Sequence, residues 1–487
     1  MIEIMIDLQG GAKAPLYEKI YEYIKSEIVA GKIPKGEKLP STRLLAESLA
    51  VSRSTATMAY EQLLAEGYIK AEPCRGFFVC DITGLYQLRS TEQNSCRKTE
   101  KREERHCEVD FSPYAIDTKN FPYNIWRKIS KDVLLDDREE LLLPGDGRGE
   151  EQLRSAIADY LHQARGVNCM ADDIILGAGN EYLEILLSQL LGRGQTVLME
   201  NPGYPQAYRT FLNMGYRVKT VPASEQGLTV QAVREKNPKL VYVMPSHQFP
   251  LGSVMPLGQR LEILKWAAEE EDRYLIEDDH DSEYRYRGKP IPSLQSIDRF
   301  GKVIYLGTFS KSIAPSLRIS YMVLPPKLME RYREVCGFYS TTVPRMQQEI
   351  LNSFIREGHF ERHLNKMRGL YRNRHDFLLG ELKKRDWVRR VSGDHAGLHL
   401  LVEVETTHTE TEICARVREK GVCLSGLAQY YLEEDVSQNR HTEISSVQQA
   451  PILLLGYGKL SETEICRGLS ILDEVLSENE CLKSAET

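Results

Sequence analysis

Apolar residues recur every four positions at Leu16, Ile20, Ile24 and Ile28, which predicts one buried stripe along a helix over 14–30 that Gly31 ends. Ser41, after Pro40, can cap a second helix running through Leu45 and Leu49. After the short turn Ala50-Val51, Ser52 caps a third, with Ala56, Ala59, Tyr60 and Leu63 facing inward and Val51 stapled to Ala56. Strand-like stretches at 67–72 and 77–80 flank Pro73-Cys74-Arg75-Gly76 and predict a hairpin with a basic tip. From Val109 onward the rhythm changes. Apolar runs at 174–176, 196–199, 217–221, 240–244, 274–277 and 303–306 alternate with amphipathic stretches such as 258–271. That alternation predicts an α/β domain whose mainly parallel sheet is covered by helices. Between the two zones, 81–108 loses its period and mixes six basic with six acidic residues, the composition of a tether. The expected division is therefore 1–80, a linker at 81–108, and 109–487.

Composition narrows the class. With 41% hydrophobic and 27% charged residues over 487 positions, the chain is neither disordered nor fibrous. No window approaches the roughly 20 apolar residues of a spanning helix. The first ten residues carry Glu3 and Asp7 without a basic start or an apolar stretch, so no signal peptide is read. Ten scattered cysteines without a CxxC pair predict free thiols in a reducing, cytoplasmic compartment. The net charge of −7 gives no general attraction to nucleic acid, so any DNA contact must be local.

Residues 1–80 hold ten basic and ten acidic side chains, but not evenly placed. Lys35, Lys38, Arg43, Arg53 and Arg75 fall around the third helix and the hairpin, whereas Glu18, Glu22 and Glu27 lie on the first helix. Two short helices joined tightly, the second opening Ser52-Arg53-Ser54-Thr55, suit a helix-turn-helix whose reading helix meets bases and phosphates with its first turn. A solvated module for protein contact is the rival reading. The stretch "LPSTRLLAESLAVSRSTATMAYEQLLAEGYIKAEPCRGFFV" resembles the winged helix-turn-helix of the GntR superfamily of bacterial regulators. The resemblance implies binding to double-stranded operator DNA through Arg43, Ser52, Arg53, Ser54, Thr55, Arg75 and Gly76.

In the large zone, Gly307-Thr308-Phe309-Ser310-Lys311-Ser312 follows a buried-looking strand. A lysine desolvated at a strand end can lose its proton and form a Schiff base. Some thirty residues earlier, the strand 274–277 runs into Asp278-Asp279-His280-Asp281; a carboxylate there can pair with a protonated pyridine nitrogen. Neighbouring strand residues face opposite ways, which argues against one metal ion held by the whole run, and no metal is expected. Gly177-Ala178-Gly179-Asn180, between a strand and a helix, offers backbone N–H groups to an anion. Tyr204 offers a ring for stacking, and Arg318 a charge for a phosphate.

In this order, and with "LPGDGRGEEQLRSAIADYL" and "PSHQFPLG", these residues resemble a fold-type-I aminotransferase domain. The resemblance implies pyridoxal 5′-phosphate on Lys311, with Asp278 at the ring nitrogen and Tyr204 on the ring face. Arg318, Thr308, Ser310 and the backbone of Ala178, Gly179 and Asn180 then form the phosphate cup. A winged helix joined to such a domain is similar to the MocR subfamily of regulators. This implies a head-to-tail homodimer in a bacterial cytoplasm, at the nucleoid when bound to DNA, and a small amine, an amino acid or the cofactor itself as effector. His280 stands where the family usually has tyrosine, and Phe249 where aminotransferases commonly have asparagine. The late strand "ILLLGY" lacks the arginine that aminotransferases use for a substrate carboxylate, and Gln206 replaces an arginine of members that sense γ-aminobutyrate. Without those cations a bidentate carboxylate clamp is missing. The expectation is thus a regulator rather than an enzyme, with at most half-transamination. The alternative is a pyridoxal-phosphate aminotransferase whose N-terminal module only oligomerises it.

Overall fold

The computed structural model describes residues 6, 15–81, 107–135, 139–224, 227–286, 291–433 and 450–477. The chain forms two compact units, Met1–Glu104 and Arg105–Thr487. The expected linker lies, from 82 to 106, outside the described residues.

In the first unit, α1 (Leu16–Val29), α2 (Thr42–Ser48) and α3 (Arg53–Ala65) precede a hairpin of β1 (Ile69–Glu72) and β2 (Gly76–Val79). Both predicted caps form: Ser41 Oγ accepts the N–H of Leu44 at 3.2 Å, and Ser52 Oγ that of Thr55 at 3.1 Å. Ile20, Ile24 and Ile28 from α1 pack against Leu45 of α2 and Ala56, Ala59, Tyr60 and Leu63 of α3. Burying each large apolar side chain contributes roughly 1.5–3 kcal/mol, enough in sum to order so small a unit. Leu16 is the exception to the predicted stripe. It opens α1 and stays exposed, because the core begins one turn later.

The second unit begins with β3 (Val109–Asp110), α4 (Tyr123–Leu135) and α5 (Glu151–Arg165). It continues through β4 (Ile174–Gly177), α6 (Asn180–Leu191), β5 (Thr196–Asn201), α7 (Pro205–Asn213), β6 (Arg217–Pro222), β7 (Leu240–Val243), β8 (Tyr274–Asp279), β9 (Val303–Thr308) and β10 (Ser320–Val323). These strands make one seven-stranded sheet in the order β4-β10-β9-β8-β7-β5-β6. Only β10 runs against its neighbours. All four residues of β7 are buried, as a strand covered by helices on both faces requires. The later elements β11 (Val388–Ser392), β12 (His399–Val404), β14 (Ser425–Gly426) and β15 (Ile452–Gly456) build a separate antiparallel sheet, while β13 (Val422–Cys423) pairs with β3 in parallel.

That last pairing corrects one expectation. Cys107 and Cys423 are joined in a disulfide, with Cα atoms 5.8 Å apart. Their separation of 316 residues hid the pair from any local spacing rule. Cys74, Cys80, Cys169, Cys336, Cys414 and Cys466 are free thiols. No helix among the described residues is long and apolar enough to cross a membrane.

Candidate functional site

The acidic run at the end of β8 is divided among separate environments, as the strand's alternation dictates. Glu277 is fully buried and accepts the backbone N–H groups of Leu294 at 2.8 Å and Gln295 at 2.9 Å. Asp279 accepts Arg165 Nε at 2.7 Å and the Tyr305 hydroxyl. Asp278 turns into a pocket, where it accepts the Tyr242 hydroxyl and lies 3.5 Å from Asn180 Nδ2. Asp281, just past the strand, accepts His247 Nδ1 at 2.9 Å.

The pocket sits at the carboxyl ends of the parallel strands, where open α/β sheets place ligands. It brings together Lys311, Asp278, His280, Tyr204, Asn180, Thr308, Ser310 and Arg318. Thr308 ends β9, which sets Lys311 on the turn that follows. Tyr204 is held at the start of α7, its ring edge-on to Phe249 at 5.9 Å between centroids. Tyr114, Met244, Phe249, Glu181 and Ser320 complete the wall. Ala178 and Gly179 stand behind it. Their N–H groups already have acceptors, Thr342 Oγ1 at 3.0 Å and Gly177 O at 2.9 Å. Arg318 also has a partner, Glu181 at 2.6 Å, in a half-exposed ion pair.

Electrostatics separates the two pocket-side carboxylates. Burial raises Asp278 above the usual carboxylate range, with His280 and the Tyr242 hydroxyl pulling the other way. Burial also works against an ionised Asp281, yet His247, His280 and Lys311 together hold it well below that range. Behind Asp278, Glu184 is pushed up to about 8, mainly by burial and then by Asp278.

Sequence reasoning missed Tyr242, His247 and Ser320 because each arrives from a different strand or loop. Tyr242 lay within the predicted run 240–244 and His247 within "PSHQFPLG", but the pairing of neither had a local signal. His247, His280 and Asp281 bring donor atoms within 4.8 Å of one another. Since His247 already engages both Asp281 oxygens, at 2.9 and 3.1 Å, we read the group as a charge network.

In the first unit, Ser52, Arg53 and Ser54 are exposed at the start of α3, with Thr55 half-buried. Their hydroxyls form a local cluster, Ser52 Oγ lying 2.7 Å from Ser54 Oγ and 2.8 Å from Thr55 Oγ1. Arg43 and Arg75 are exposed but each carries an acid, Glu47 at 3.1 Å and Glu72 at 2.5 Å. Arg75 also lies over the Phe78 ring at 5.5 Å, which lays it along the wing beside Gly76.

Comparison with known proteins agrees with this architecture. Residues 16–79 match the family of bacterial regulatory proteins of the gntR type, and 111–439 match aminotransferase class I and II. The chain is 38% identical over 459 residues to the uncharacterized HTH-type transcriptional regulator YdeL of Bacillus subtilis, covering 94% of this chain and 96% of that one. It is 32% identical to the probable rhizopine catabolism regulatory protein MocR of Rhizobium meliloti, covering 89% and 91%. Among solved structures, the kynurenine aminotransferase of Pyrococcus horikoshii shares the fold of the large unit, with a TM-score of 0.65 at 24% identity over 81% of this chain and 98% of its own. The chain belongs to the MocR-type transcriptional regulators of the GntR family, in which a winged helix-turn-helix precedes an aminotransferase class I and II domain.

Proposed function

We propose that residues 1–80 bind operator DNA and that 109–487, beyond a linker at 81–108, bind pyridoxal 5′-phosphate and sense a small amine, an amino acid or the cofactor itself. The observation that carries this reading is one pocket holding Lys311, Asp278 and Arg318 together at the strand ends. The residues fit the cofactor. Asn180 Oδ1 is buried there without a hydrogen-bond partner among the described residues, and the missing Cβ of Gly179 lets the Arg318 guanidinium lie against the backbone.

When bound, the cofactor supplies an aldehyde and an electron-poor ring. Lys311 would offer the amine, Asp278 the counter-charge for the ring nitrogen, and Tyr204 a stacking face. Arg318, Thr308, Ser310 and the 178–180 backbone would hold the phosphate, which requires Glu181 to release the guanidinium. His280 would donate a hydrogen bond beside the amine. In the small unit, Arg43, Ser52, Arg53, Ser54, Thr55, Arg75 and Gly76 would meet the duplex. A head-to-tail homodimer would present two such units to paired half-sites. The effector acts on DNA binding only through unequal contacts with two states of the protein.

Borohydride reduction of the cofactor-loaded chain tests this reading: label is expected on the Lys311 peptide and absent in Lys311→Ala. Label elsewhere, or none in the parent chain, refutes it. Catalytic release of keto acid from an amino acid would favour the aminotransferase alternative.

A further inference from the structure

Lys311 Nζ has a carboxylate neighbour that its place in the sequence does not suggest. Asp278 lines the same pocket, yet the ion pair formed by Nζ is with Asp281, whose Oδ2 lies 3.9 Å away. Asp281 is 1% exposed, and a buried carboxylate is tolerated only when paired and hydrogen-bonded. Three groups surround it. His247 Nδ1 reaches both oxygens from behind, His280 Nε2 stands 3.4 Å from Oδ1, and Lys311 is on the pocket side.

The position of His247 is itself fixed by shape. A Cβ at Gly397 would stand 2.2 Å from its Cε1, and one at Gly252 would stand 3.3 Å from its Nε2. The ring therefore fills room that only glycines leave, and it presses Nδ1 against Asp281. The remaining neighbours do not compete for the charge. His399, on β12, is pushed down to about 3 by burial and by His247, and donates no second positive charge. The Tyr286 and Tyr457 hydroxyls, which also feel Asp281, are spent on Gly397 O at 2.7 Å each. Asp278 also acts on Lys311 but is committed to the Tyr242 hydroxyl.

We propose that Asp281, held from behind by His247, is the positioning residue for Lys311: it fixes Nζ in the pocket and, with His280 beside it, supplies that amine's counter-charge. The proposal rests on Lys311 being the amine that captures an aldehyde. It assigns that lysine's charge balance to Asp281 and leaves Asp278 to the far end of the pocket.

The test uses the full-length chain without cofactor. Acetic anhydride labelling of the Lys311 peptide, followed by mass spectrometry across pH, reads the amine directly. An opposite charge at this distance favours the protonated form by about one pH unit or more. Asp281→Asn is therefore expected to lower the midpoint of labelling by about one pH unit, a tenfold gain in labelling below the midpoint. His247→Gln replaces the ring nitrogen that faces both carboxylate oxygens with a neutral amide, which loosens the hold on Asp281 from behind, and is expected to move the midpoint upward. Local loosening of the fold would not give opposite shifts. Should Asp281→Asn fail to fold, His247→Gln decides alone. An unmoved midpoint in the folded variants overturns the proposal. Borohydride trapping on the parent chain separates the two readings: a missing label there defeats the cofactor reading, whereas a normal label with an unmoved midpoint defeats only the role of Asp281.

Discussion

Replacing Gly179 with alanine probes the proposed phosphate cup where a new side chain would press on Arg318. Gly179 precedes α6 at φ 104° and ψ 165°, a backbone region essentially reserved to glycine, where another residue costs about 1–3 kcal/mol. The new Cβ would also stand 2.1 Å from Arg318 Nη2 and 2.8 Å from Glu181 Oε2. Non-bonded heavy atoms settle at roughly 3.5–4 Å, so the guanidinium must retreat by more than 1 Å. A charge-assisted hydrogen bond lost to a phosphate is worth about 1.5–3 kcal/mol, or roughly 10–100-fold in affinity. Gly192 supplies a matched control. It ends the same helix at φ 79° and ψ 156°, with nothing within 4 Å of a built Cβ. Both variants are expected to lose about 1–3 kcal/mol of stability in denaturant titrations. Only Gly179→Ala should weaken pyridoxal phosphate binding in a spectral titration at fixed ionic strength. Equal affinities for the two variants would refute a phosphate cup built around Gly179 and Arg318.

Other perturbations examine separate parts of the molecule. Glu181→Gln should free Arg318 from an exposed ion pair worth at most about 1 kcal/mol, raising affinity for the cofactor or inorganic phosphate by up to about fivefold; calorimetry with phosphate reads this, and weaker binding would contradict it. Arg53 is exposed at the first position of α3 and has no ion-pair partner among the described residues. Arg53→Ala should weaken operator binding and make log K against log salt shallower by about 0.9 if one phosphate contact is lost; an unchanged slope removes it from the DNA face. Glu200 is 6% exposed with an unpartnered oxygen, and burial pushes it up to about 7. The native chain then keeps a proton that the unfolded chain loses near pH 4.5. Stability is accordingly full below that pH and falls by roughly 3 kcal/mol as pH rises toward 7. Glu200→Gln should flatten that fall in urea midpoints measured at pH 5 and 7.5; a fall in the variant as large as in the parent chain would show that Glu200 is not its source.

The elements legible in the sequence were those whose signal is local. Fully buried parallel strands read as unbroken apolar runs and the half-exposed edge strand β6 as an alternating one, and each predicted run falls on an observed strand of the large sheet. The caps Ser41 and Ser52 were visible because a cap needs only three consecutive residues after it. What escaped depends on pairing at long range. Ser320–Val323 runs antiparallel between β4 and β9, and it follows β9 with no α-helix between them to mark it off. The Val388–Ser392 strand is half-exposed with two adjacent arginines, so it shows neither alternation nor an apolar run. The same limit applies to the pocket. Asp278 and Lys311 announce themselves by their place after buried strands, whereas Tyr242 and His247 matter only through contacts made across the sheet.

The two units share a further regularity. Three arginines expected to face phosphate groups each hold a carboxylate in this structure: Arg43 with Glu47, Arg75 with Glu72, and Arg318 with Glu181. All three pairs are substantially exposed, so each contributes little to stability and opens at a cost of at most about 1 kcal/mol. Arg53 has no ion-pair partner among the described residues, but at these three positions an arriving phosphate does not meet a bare cation. It replaces one anion with another, and the gain depends on geometry, because a phosphate placed to accept from both the guanidinium and nearby N–H or hydroxyl groups outcompetes a single flexible carboxylate. A net charge of −7 with these three arginines paired gives no general attraction to polyanions. On the proposed reading, binding energy would be released only where several donors converge, on the reading helix and wing for a nucleic acid and on the β9 turn for a cofactor. Selectivity between a specific site and bulk anion then comes from the exchange itself rather than from raw positive charge.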